Sequence, residues 1–334
     1  MFLTFIGLLF SGYPIAFVLA GVAALFTLVG FLGDTYLGTS TGVDFNYVGM
    51  VVNRIYKLMD NWVLVAIPMF IFMGLMLDRS GIADKMMSSM QNLFGKVRGG
   101  LAVTIALIGI ILAAATGIIG ASVVLLGLLA IPTMLRQDYE KSFAVGTVAA
   151  AGTLGILIPP SIMLVIMADQ LGLSVGDLFM GAVFPGLILG VMYIVYILGY
   201  SYLYPNRAPL PADREPMSFL VVWDVVRTAL PAVFLILAVL GSIFAGITTV
   251  TEASGVGALG ATVLAAINGK LNFKILKEVV HSTFNITGYI FGIFIGATCF
   301  ALVLRGLGGD QLIENALTGL PFGAYGVVFV LLLG

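Results

Sequence analysis

Apolar residues run along this chain in blocks too long for a soluble core, and polar residues are confined to short stretches between them. The blocks cover residues 3–32, 62–77, 99–135, 142–172, 181–204, 228–247, 253–267, 283–304 and a last segment from 322. A helix that crosses a bilayer needs about 20 predominantly apolar residues, so most blocks predict single crossings. Pro14 is expected near the start of the first crossing, because its missing N–H is tolerated only in a first helical turn. Residues 33–61 are mixed, and Phe45 to Asn61 predicts an amphipathic helix lying along the interface. The last block reaches Gly334 after 13 residues, so the chain is expected to stop inside a helix.

Two blocks do not read as ordinary crossings. Block 99–135 is interrupted by Thr116-Gly117 and Gly120-Ala121-Ser122 and contains no charge. A turn reaching bulk water without charge, Asn, Asp or Pro is unusual. A re-entrant helical hairpin with a polar, uncharged tip fits better, beside the alternative of two helices touching through small residues. Block 142–172 contains Gly152-Thr-Leu-Gly-Ile-Leu-Ile-Pro-Pro-Ser161. Pro159 and Pro160 lack N–H donors and their rings clash with the preceding turn, while Ile158 is pushed out of the helical region. The helix is therefore expected to break near mid-membrane. Freed backbone groups are tolerated there only against protein, water or an ion, the construction that secondary transporters use for substrate and coupling ions. A purely structural kink is the alternative.

Composition agrees. The 334 residues are 60% hydrophobic and 9% charged, against about 25% charged in soluble domains. This predicts an all-α, polytopic membrane protein whose 42 glycines suit close helix packing. A net charge of −1 without a basic run gives no reason to expect a nucleic-acid partner. No cleavable signal is read, since the first apolar run continues past Tyr13-Pro14 into a full span. Of the 15 Lys and Arg, 12 fall on one side if both hairpin ends are cytoplasmic, leaving Arg54, Lys57 and Arg305 opposite. That asymmetry is the one the positive-inside rule demands. At an offset of 226, Arg79 matches Arg305, Asp84 matches Asp310, Met86 matches Leu312 and Gly100 matches Gly326, a faint repeat that this topology makes inverted.

Candidate chemistry is sparse. Glu252 opens an apolar helix and reads as a capping residue. Asp169 and Asp177 read as loop residues, His281 as interfacial, and the single Cys299 as a buried, inert thiol. No carboxylate pair, Ser–His pairing, Cys/His cluster or Walker-type loop is present, which argues against an enzyme and against ATP hydrolysis by this chain.

Four stretches together resemble one family. They are Gly152 to Ser161, Ala66-Ile-Pro-Met-Phe-Ile-Phe-Met-Gly74 with Arg79-Ser-Gly81, Ala115-Thr-Gly-Ile-Ile-Gly-Ala-Ser122, and Thr249-Val-Thr-Glu-Ala253. In this order they resemble the large membrane subunit of tripartite ATP-independent periplasmic (TRAP) transporters. The resemblance implies a multi-pass protein of the bacterial inner membrane, of inverted-repeat elevator type. It implies sodium-coupled import of small organic acids such as C4-dicarboxylates. The implied partners are a small membrane subunit and a periplasmic substrate-binding protein. It also divides the chain into scaffold spans at 1–98, the first hairpin and broken helix at 99–180, further scaffold spans at 181–282 with a polar linker at 205–224, and the start of a second repeat at 283–334. A second hairpin and broken helix, normal in the family, are not expected within these residues. Carried over, the sodium and substrate sites map onto Thr116, Gly117, Gly120, Ala121, Ser122, Gly152, Thr153, Gly155, Pro159, Pro160 and Ser161. Sodium takes oxygen ligands, which makes Ser122 and Thr153 the first side-chain candidates and Thr116 and Ser161 the next. A stand-alone sodium–carboxylate symporter and a non-transporting scaffold or channel remain as alternatives.

Overall fold

The computed structural model describes residues 1–94, 97–117, 119–210, 219–319, 323 and 326–329. These residues form α1 (Phe2–Leu9), α2 (Ile15–Tyr36), α3 (Phe45–Met59), a 3-10 turn at Trp62–Val65 leading into α4 (Ala66–Arg79), and α5 (Ile82–Phe94). They continue with α6 (Gly100–Thr116), α7 (Ile119–Arg136), α8 (Lys141–Thr153), a 3-10 turn at Leu154–Ile156, α9 (Ile162–Leu171) and α10 (Val175–Leu203). The remainder is α11 (Phe219–Phe244), α12 (Val250–Ile267), α13 (Phe273–Gly306) and α14 (Gly309–Thr318). Among the described residues there is no strand. Six segments are long and apolar enough to cross a membrane: α2, the Trp62–Arg79 run, α10, α11, α12 and α13.

Capping chemistry explains where helices begin, and why several exceed their apolar blocks. Pro14 is the N-cap of α2, as its missing N–H requires. Ser174 accepts from Asp177 N at 3.4 Å and starts α10 six residues before the apolar block. The Asn272 Oδ1 accepts from Ile275 N at 2.8 Å and starts α13 within the polar stretch before its block. Thr249 and Glu252 form a reciprocal capping box on α12, so Glu252 caps as expected. Asp169 and Asp177 are not loop residues. Asp169 lies in the last turn of α9 and Asp177 in the first turn of α10, because Gly172 at φ +66° lets the chain reverse in a very short connection.

The chain divides into two compact units. One comprises Trp62–Thr287. Its core includes Leu64, Ile67, Phe70, Ile71, Met73, Met76 and Leu77 from the Trp62–Arg79 segment, and Ile105, Ile108 and Leu112 from α6. Small residues set the helix spacing: a Cβ on Gly257 of α12 would stand 2.6 Å from the Met73 sulfur of α4. Arg79 pairs with Glu278 at 3.3 Å, and Lys85 donates to Asn268 Oδ1 at 2.7 Å.

The other unit comprises residues 1–61 and 288–334. Val18, Val22 and Phe300 form one apolar cluster, and Ala23, Val43 and Val303 another. Asp34 ties the connection after α2, accepting from the Thr39 hydroxyl at 2.8 Å, Thr41 N at 2.8 Å and Gly42 N at 2.9 Å. Cys299 is half-buried rather than buried, because its helix face packs only partly against the second cluster. The offset repeat has a local structural echo. Arg79 ends α4 and Arg305 lies in the last turn of α13; a left-handed glycine follows each, Gly81 at φ +71° and Gly308 at φ +80°, and then a short amphipathic helix, α5 or α14.

Candidate functional site

The hairpin and the broken helix meet. Helix α8 ends at Thr153, a single 3-10 turn covers Leu154–Ile156, and α9 starts at Ile162. Between them Leu157 N and Ile158 N both donate to Leu154 O at 3.0 Å, which uses up the last donors before the prolines. Neither Pro159 nor Pro160 has an N–H to continue the ladder, and the peptide bond between them is cis. Ile158, Pro159, Pro160 and Ser161 are all buried. The break therefore lies inside protein, where freed backbone groups can be tolerated.

Ser161 occupies the N-cap position of α9 but does not cap it. Its hydroxyl, wholly buried, instead donates to Ile156 O at 2.8 Å and staples the break from the inside. The first N–H groups of α9 are thus left without a side-chain acceptor from their own cap residue. Thr153, half-buried, donates to Ala150 O at 2.7 Å, and its hydroxyl oxygen keeps lone pairs for another partner. Gly152 and Gly155 are buried. A side chain at Gly152 would overlap Val123 near the start of α7, whose Cα is 3.2 Å from the Cβ position.

Gly117 makes the hairpin turn. It is buried at φ +61°, a conformation that costs a non-glycine residue about 1–2 kcal/mol. A Cβ there would stand 3.2 Å from Ile162 N, 3.3 Å from Pro160 O and 3.4 Å from Ser161 Cα. The tip of the hairpin is seated on the break. Further down, Gly109 of α6 faces Ala151 of α8, with its Cβ position 2.6 Å from the Ala151 Cβ. Across the break, Gly186 of α10 lets Ile158 approach, at 2.9 Å from its own Cβ position.

The turn is tighter than the sequence suggests. Thr116 ends α6, whereas Gly120, Ala121 and Ser122 lie in the first turns of α7 rather than in the loop. The side chains of Thr116, Ala121 and Ser122 lie outside the described residues. Of the eleven positions singled out, Gly117, Gly152, Thr153, Gly155, Pro159, Pro160 and Ser161 are brought into one region by these contacts. No charged residue occurs in 99–135 or 142–168, and no group of three His, Cys, Asp or Glu able to hold a metal occurs among the described residues. What this arrangement offers is carbonyl and hydroxyl oxygen together with helix N-termini.

Comparison with known proteins decides the family. The profile of the tripartite ATP-independent periplasmic transporter, DctM component, matches residues 2–334. The chain belongs to that family. A C4-dicarboxylate TRAP transporter large permease protein DctM of Pseudomonas aeruginosa is 34% identical over 75% of this chain and 58% of its own length. The Rhodobacter capsulatus protein of the same name is 30% identical over 91% of this chain and 70% of its own length. An ectoine/5-hydroxyectoine TRAP transporter large permease protein, UehC of Ruegeria pomeroyi, is 30% identical over 99% of this chain and 74% of its own. The chain thus spans little more than half the length of the first of these relatives. All are permease proteins and none is named as an enzyme. With six apolar spans, this TRAP family member is a multi-pass protein of the bacterial inner membrane.

One constellation escaped sequence reasoning. Glu140 precedes α8, Tyr200 lies near the end of α10 and Arg207 follows it. Arg207 pairs with Glu140 at 3.3 Å and donates to the Tyr200 hydroxyl at 2.8 Å, and Tyr200 donates to Glu140 at 3.1 Å. The Tyr200 hydroxyl, and then the Glu140 charge, raise the Arg207 guanidinium further above its ordinary pKa. Phe143 stacks on Tyr200 at 4.7 Å and Arg207 lies over the Tyr204 ring at 4.9 Å. The only sequence signal was the run Tyr193, Tyr196, Tyr200, Tyr204, which recurs on one helical face.

Proposed function

We propose that this chain forms the first ion- and substrate-binding half of a sodium-coupled secondary importer of small organic acids. It acts as large permease subunit beside a small membrane subunit and receives substrate from a periplasmic binding protein. The observation that carries the reading is Gly117 seated against Pro160, Ser161 and Ile162. A hairpin tip closed onto a broken helix, buried and uncharged, is the way secondary transporters present oxygen ligands to a small cation and helix N-termini to an anion. Hydroxyls and carbonyls suit sodium, a hard cation, and avoid the cost of a lone carboxylate in the membrane. Ser122 and Thr153 are the proposed side-chain ligands, with Thr116 and Ser161 beside them. The substrate carboxylate would be drawn by the N-termini of α7 and α9, where the dipole is positive. C4-dicarboxylates are the first substrates to try, since two of the relatives above carry that name.

The experiment is uptake of labelled C4-dicarboxylates and other organic acids into proteoliposomes holding the complete transporter. A sodium gradient and the binding protein are supplied separately and together. The reading requires uptake only when both are present. Uptake without the binding protein would identify a stand-alone symporter, and uptake indifferent to sodium would remove the coupling ion.

A further inference from the structure

A groove of about 270 Å³ lies along α8 and α10, floored by Ala106 of α6. One wall is the small-residue face of α8, with Ser142, Gly146 and Ala150, and the other is Tyr193, Tyr196 and Tyr200 of α10. No described residue covers it at Gly146, where a Cβ would meet no atom within 4 Å. Tyr196 is 65% exposed. The groove runs along α8 from Ser142 to Ala151, two residues short of Thr153.

Its two ends differ. Toward the middle of α8 it is lined by alanine and glycine. Toward the start of α8 it meets the Tyr200 hydroxyl, which bridges Arg207 and Glu140. Lys141 stands exposed in the first turn of α8, and no carboxylate of the described residues lies within ion-pair distance of it. Glu140 neutralises one cation of the two, and Arg136 and Asp138, just before it in the chain, carry opposite charges, so this end keeps one net positive charge. Under the positive-inside orientation it lies at the level of the inner-leaflet headgroups, where the surface is anionic and tyrosines are enriched. An apolar slot in the hydrocarbon and a cation at the headgroup level are the two halves of a phospholipid.

We propose that this groove is a phospholipid site, with one acyl chain between α8 and α10 and an anionic headgroup at Lys141 and Arg207.

The test uses the assembled transporter in nanodiscs containing phosphatidylglycerol and phosphatidylcholine in equal amounts, followed by gentle release and quantification of co-purifying lipid. Phosphatidylglycerol should be retained in preference to phosphatidylcholine. Gly146→Leu, which fills the slot, and Lys141→Gln should each reduce its retention by about threefold or more, with Lys141→Arg restoring it. Gly146→Ala should change neither retention nor melting temperature. A photo-crosslinking residue in place of Tyr196 should form adducts with phospholipid, and this holds even where Gly146→Leu lowers stability. Equal retention of the two lipids, unchanged retention in Gly146→Leu, or adducts with a protein instead of lipid would each overturn the proposal.

Discussion

Gly117 at the tip of the first hairpin lies directly over Ser161 at the break: a Cβ on the glycine would be 3.4 Å from the serine Cα and 3.2 Å from the next backbone nitrogen. Two segments more than forty residues apart are therefore held as one object. Gly117→Ala must both adopt φ +61° and press on Pro160 O and Ile162 N. It should destabilise the protein by about 1–2 kcal/mol and lower uptake further than that loss alone accounts for. Thermal melting beside uptake per folded molecule checks this. Normal uptake from a variant of normal stability would mean that the tip is not closed on the break.

Sodium dependence should follow the hydroxyls. Replacing Ser122 or Thr153 with Ala in the complete transporter should raise the sodium concentration needed for half-maximal uptake while leaving the protein level intact. Thr153→Ala also removes a bond to Ala150 O within its own helix. Ser161→Ala differs, because the bond it breaks, to Ile156 O, spans the break itself. It should cost about 1 kcal/mol of stability as well. An unchanged sodium half-saturation in both the Ser122 and Thr153 variants would take them out of the site.

Topology is tested by labelling. With Cys299 replaced by Ala, single cysteines at Asp84, Asp138 and Lys274 should react with a membrane-impermeant reagent only from the cytoplasmic side. A cysteine at Asp310 should react only from the periplasmic side. A reversal at any of the four would contradict the inverted arrangement of the Arg79 and Arg305 segments.

The break and the hairpin were legible because they rest on absences that local chemistry enforces. Two prolines cannot donate, and 37 residues without a charge cannot offer an ordinary aqueous loop. The extent of the turn was less legible. Gly120 and Ser122 look like loop residues, but one glycine at φ +61° turns the chain almost by itself, so they are helical. Helix ends were underestimated for a related reason. Apolar blocks mark where a helix meets lipid, whereas Ser174 and Asn272 mark where it starts. The seating of Gly117 on Ser161 and the joining of Glu140 to Arg207 were not legible, since each is a tertiary contact between segments that carry no mutual pattern.

The central claim is that the interruption between α8 and α9 is a working part of the transport site and not a kink. Replacing Pro159 and Pro160 together by Ala restores two donors and removes the ring clash, so the carbonyls of residues 155 and 156 can enter intrahelical bonds. The decisive measurement is sodium-driven uptake by the double variant in the complete transporter, read beside its melting temperature in detergent. The account predicts uptake reduced by about tenfold or more from a protein that still inserts and melts near the wild-type temperature. Near-normal uptake from a well-folded double variant would contradict it.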